Sequence, residues 1–87
     1  MNSYWIQDNL TKKQREYLAY IASGLSVGET AEFCNVSPHT VRNTITNAKE
    51  RVGAVSTSNL IAAAVANEWI YLEDNTRPFM FFASDNG

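Results

Sequence analysis

The chain has 87 residues, 45% of them hydrophobic, and carries a formal net charge of −2. That is one domain's length, with apolar side chains enough for a core and too few residues for a second one. The longest apolar run, Leu60 to Ala66, falls far short of the roughly 20 residues that a bilayer span demands, so no membrane segment is expected.

The first nine residues lack the basic start and apolar stretch of a secretory signal, and a cytoplasmic setting is expected. The single cysteine, Cys34, has no internal disulfide partner, which agrees with a reducing compartment. Charge is unevenly spread. The segment Ser37 to Gly53 holds Arg42, Lys49 and Arg51 against Glu50, a balance of +2. Beyond it Arg77 faces Glu68, Glu73, Asp74 and Asp85, a balance of −3.

Taken in chain order, Thr11 and Gln14 form a capping box that opens a first helix. Leu18, Ile21 and Ala22 fall on one face, and Gly24 ends the helix. Ser26 and Glu29 form a second capping box, opening a short helix through about Cys34, and Asn35 suits the turn because its side chain tolerates a left-handed backbone. Ser37 as N-cap and Pro38 at the first helical position then start a third helix.

At about 100° per residue, Val41, Ile45, Ala48 and Val52 occupy a stripe roughly 60° wide, the expected buried side of that helix. His39, Arg42, Asn43 and Thr46 point away from it, with Lys49 on the flank, and Gly53 closes the helix. Ser56 or Thr57 caps a fourth helix through about Asn67, with Leu60, Ile61, Ala64 and Val65 as its apolar face. The remainder, from Trp69, changes character and carries the aromatic cluster Phe79, Phe81 and Phe82. Three readings of this tail stand: folded back on the domain together with Tyr4, Trp5 and Trp69, docked on a partner protein or second subunit, or disordered.

A short helix, a tight turn and a capped helix with a polar outer face fit the major groove, which admits one α-helix. Arg42 is placed for a bidentate contact with guanine, Asn43 for one with adenine, and Thr46 for a thymine. His39, Thr40 and Lys49 are placed for phosphates, as are the backbone N–H groups at the helix start. The alternative for the same residues is a solvated helix face. Glu16 and Arg51 are expected to form a structural ion pair between the first and third helices. His39 has no Cys or acidic neighbour at ligand spacing, so no metal or other cofactor is expected, and nothing resembles a catalytic constellation. Cys34 is expected on the inner side of its helix.

The run from Leu10 to about Ile70 resembles the LuxR/GerE-type helix-turn-helix domain. The matching residues are Leu10-Thr11, Gln14-Arg15-Glu16, Leu18, Ile21-Ala22, Gly24-Leu25-Ser26, Glu29, Ala31, Val36-Ser37, Thr40-Val41-Arg42-Asn43 and Arg51-Val52-Gly53. The resemblance implies an all-α, four-helix domain over residues 10–70, between an N-terminal extension (1–9) and a short aromatic C-terminal tail (71–87). By position it makes Arg42, Asn43 and Thr46 base-reading residues, with Ser37, Thr40 and Lys49 on the DNA backbone.

It also implies a homodimer through the fourth helix, for which Leu60, Ile61 and Ala64 are the candidates. Departures from the family pattern are Thr30, Cys34 and Ala48, where a large aliphatic residue is usual, Thr44 in place of histidine, and Thr57 in place of a basic residue. The expected function is a sequence-specific, double-stranded DNA-binding transcription regulator and not an enzyme. The rival is a protein-interaction module of the same fold that binds a larger regulator or RNA polymerase without binding DNA by itself.

Overall fold

In the computed structural model, residues 9–73 and 79–84 are described. They form four helices followed by a two-stranded hairpin: α1 (Lys12–Ala22), α2 (Val27–Cys34), α3 (Pro38–Val52), α4 (Thr57–Ala66), β1 (Ile70–Leu72) and β2 (Phe81–Ala83). Every helix begins where a side chain takes over an orphan N–H. Thr11 Oγ1 accepts from Gln14 N at 3.1 Å while Gln14 Oε1 accepts from Thr11 N at 2.9 Å. Ser26 and Glu29 repeat the reciprocal pair at 3.0 and 2.8 Å. Ser37 caps α3 through Thr40 N, and Ser56, rather than Thr57, caps α4 through Asn59 N.

The helix ends follow the same local chemistry. Beyond α1, Leu25 N donates to Tyr20 O and Gly24 N to Ile21 O, a Schellman closure that needs a residue at positive φ; Gly24 supplies it at 101°. Asn35, at φ 59°, ends α2 and turns the chain into the start of α3. With only Asn35 to Ser37 between them, α2 and α3 are held as a helix-turn-helix pair.

The core gathers Leu10, Tyr17, Leu18, Ala31, Val41, Ile45, Ala48, Leu60, Ala64 and Ile70. The inward stripe of α3 is thus the one its spacing predicts, with Val52 partly buried at the end. Burial of a Leu or Ile side chain contributes about 1.5–3 kcal/mol, so Leu18, Leu60 and Ile70, all at 1% exposure or less, are the main apolar contributors. Cys34 is half-buried against this core, as expected.

The aromatic tail folds back. β1 and β2 pair antiparallel, Ile70 opposite Ala83, Tyr71 opposite Phe82 and Leu72 opposite Phe81. β2 lies against α1, and both Trp69 and Phe81 pack on the core. Ser84 N donates to Trp69 O at 2.8 Å, and Phe81 N to Ser23 Oγ at 2.7 Å. The fold is all-α apart from this hairpin, which straddles the expected boundary at residue 70. Tyr4 and Trp5, expected to join the folded-back tail, lie outside the described residues.

Two expectations need correction. Glu16 and Arg51 do not pair: Glu16 sits 3.6 Å from Lys13 Nζ one turn earlier, and the Arg51 guanidinium donates through Nε to the Asn9 carbonyl. The last turn of α3 ends beside the chain entering α1, so a backbone carbonyl meets Arg51 first. In α4, Leu60 and Ala64 are fully buried within the chain, because this helix lays that stripe on α3, α1 and β1. Their side chains are therefore unavailable to a second subunit.

Candidate nucleic-acid interface

Helix α3 builds the candidate interface from its two sides. Val41, Ile45 and Ala48 fix one side in the core, so the opposite side is forced into solvent and held rigidly there. Arg42, Asn43 and Thr46 are all exposed on it. Among the described residues Arg42 makes no ion pair, leaving its five donors available. Lys49 is half-buried on the flank, and Arg51 follows in the last turn, where positive charge complements the helix dipole.

At the N-terminal end, Ser37, His39 and Thr40 are exposed. Ser37 Oγ accepts from Thr40 N at 3.1 Å and lies 3.0 Å from Thr40 Oγ1. The Asn43 amide nitrogen is 3.2 Å from His39 Nε2, one turn back. The two side chains lie one above the other on the exposed surface of α3.

The helix start offers fewer backbone donors than the sequence suggests. Pro38 has no N–H, and Ser37 already takes that of Thr40 through both its hydroxyl and its carbonyl oxygen. The His39 N–H has no backbone partner among the described residues. Any phosphate at this end is held mainly by side chains.

Asn47, one turn beyond Asn43, is also exposed and polar; at about 100° per residue it lies as near the centre of the outward face as Thr46, so the helical spacing was enough to find it. Thr44 donates its hydroxyl to the Thr40 carbonyl at 2.8 Å. Its side chain is thereby turned along the helix rather than outward. Among the described residues no group of three His, Cys, Asp or Glu side chains is placed to hold a metal ion, and no helix is long and apolar enough to cross a membrane.

The GerE family, described as bacterial regulatory proteins of the luxR family, matches residues 8–64. The chain belongs to that family. Its four-helix domain is a LuxR-type helix-turn-helix domain of the DNA-binding regulator class. No curated protein and no solved structure gives a match. The matched segment holds all four helices nearly complete and stops before the hairpin, so the clamp of β2 on α1 is a feature of this chain outside the matched part.

Proposed function

We propose that this luxR-family chain is a cytoplasmic transcription regulator that binds double-stranded DNA sequence-specifically, with α3 in the major groove. The observation that carries this reading is the rigid presentation of Arg42, Asn43 and Thr46 on the side of α3 opposite its buried stripe. A guanidinium matches guanine O6 and N7, an amide matches adenine N6 and N7, and a threonine methyl or hydroxyl suits thymine. Ser37, His39, Thr40 and Lys49 act on the phosphates, fixing register without adding sequence information.

A homodimer follows from the need to double a short reading surface, with each copy placed on one half of a two-fold site. The α4 surface available for it is Ala62, Val65 and Ala66, all exposed, with Ile61 at the edge. Small alanine side chains there let a second helix approach closely. With few cations on the DNA-facing side, affinity for random DNA is low and specificity depends on base contacts.

Fluorescence anisotropy with a selected duplex tests the assignment of the reading helix. The Arg42→Ala variant is expected to lose about tenfold or more in affinity for that duplex, at about 1–3 kcal/mol per bidentate base contact, while its weak binding to random DNA changes much less. Equal affinity of the variant and the parent chain for the selected duplex would remove α3 as the reader.

A further inference from the structure

Away from α3, the outer faces of α1 and α2 carry a feature that DNA binding does not use. Phe33 is 72% exposed, although it is a large apolar side chain on an eight-residue helix. It is not loose: its ring stacks on Tyr20 of α1, centroids 5.6 Å apart and planes 10° from parallel. Stacking across two helices holds the ring in one place on the surface, at low entropic cost for a partner. Beside it a trough of about 580 Å³ is lined by Leu25, Glu29, Glu32 and Phe33.

The two charged residues that line this trough, Glu29 and Glu32, are both acidic. One oxygen of Glu29 caps α2 by accepting from Ser26 N, leaving the other for solvent, and Glu32 has no ion-pair partner among the described residues. An apolar floor between two carboxylates repels DNA phosphate. It complements a segment that presents a guanidinium or ammonium group next to a large apolar side chain, because the cation finds carboxylates where the apolar group finds Leu25 and Phe33.

We propose that the Phe33 platform, with Leu25, Glu29 and Glu32, is a docking surface for a basic, apolar segment of a partner protein, separate from the face that reads DNA. It lies on the first helix of the helix-turn-helix pair and at the turn before it, and no residue of α3 lines it. Glu29 has two roles, capping α2 and attracting the partner's cation. Glutamine at this position keeps the first and removes the second.

Selection of a random-peptide library against the full chain tests this, followed by anisotropy with the enriched peptide and amide chemical-shift mapping. The expected peptides place Arg or Lys beside Phe, Trp, Leu or Ile, and the shifts centre on Leu25, Glu29, Glu32 and Phe33. Phe33→Ala is expected to weaken peptide binding about tenfold or more. The double variant E29Q/E32Q weakens it about threefold at low salt, an effect that shrinks as salt is added.

Both variants are expected to keep helix content and binding to the selected duplex. Failure to enrich basic, apolar peptides, shifts centred elsewhere, or binding indifferent to both variants would overturn the proposal. So would self-association of the chain that depends on Phe33, which would give the surface to a second copy.

Discussion

Arg15 and Ser84, 69 positions apart, are joined by a 2.9 Å hydrogen bond from the guanidinium Nη1 to the Ser84 carbonyl oxygen. The same guanidinium donates from Nε to the Leu10 carbonyl at 3.0 Å, and the side chain is only 4% exposed. One residue of α1 thus fastens the hairpin that follows the family segment to the chain that precedes α1. Buried charge-assisted bonds of this kind contribute about 1.5–3 kcal/mol each. Replacing Arg15 by Ala is therefore expected to cost about 2–4 kcal/mol in urea unfolding. A cost under about 0.5 kcal/mol, the range of ordinary surface changes, would mean that the clamp contributes nothing.

Thr30 is fully buried, and its hydroxyl oxygen finds no hydrogen-bond partner among the described residues. A buried polar group left unpaired costs about 1–3 kcal/mol. Thr30→Val exchanges the hydroxyl for a methyl group of similar size and is expected to stabilise the chain by about 1 kcal/mol, read as a higher urea midpoint with an unchanged slope. A lower midpoint would show that the hydroxyl is satisfied in solution.

Gly28 lies in the first turn of α2, where its backbone is helical and exposed. A Cβ built there meets nothing nearer than Ser26 Oγ at 3.9 Å, an ordinary contact. Gly28→Ala is expected to raise stability by about 0.5–1 kcal/mol, by restricting the unfolded chain and favouring the helix. Thermal unfolding of the variant reads the gain; a loss would mean that α2 needs glycine for a reason beyond helix propensity.

Burial pushes the Cys34 thiol above its ordinary value of 9.0, with the Glu16 carboxylate adding to the rise and Lys13 opposing it. Because the folded state holds the proton more tightly than the unfolded chain, this contribution to stability is complete below pH 9.0 and is lost as pH climbs above it. At pH 8 iodoacetamide is expected to modify the native chain more slowly than the urea-unfolded chain, since only the thiolate reacts. Equal rates would place the thiol in open solvent.

What was legible in the sequence was local. Thr11 with Gln14 and Ser26 with Glu29 satisfy one another across three positions, so their pattern is complete in a short window. The stripe of Val41, Ile45 and Ala48 is visible because polar residues occupy the rest of α3. In α4 that contrast is missing. Ile61 and Val65 flank Leu60 and Ala64 among alanines, and periodicity could not tell which stripe the core would take. The hairpin was illegible for another reason: strands of three residues carry almost no alternation, and what holds them, Arg15 and Ser23, lies far back in the chain.

Sequence-specific DNA binding by α3 is tested by in vitro selection of double-stranded DNA from a random pool by the full chain, with sequencing of the bound fraction. The expected result is a consensus with two-fold symmetry, and loss of preference at defined bases in the Arg42→Ala and Asn43→Ala chains. No enriched sequence at low salt, or one consensus shared by the parent chain and both variants, would contradict it.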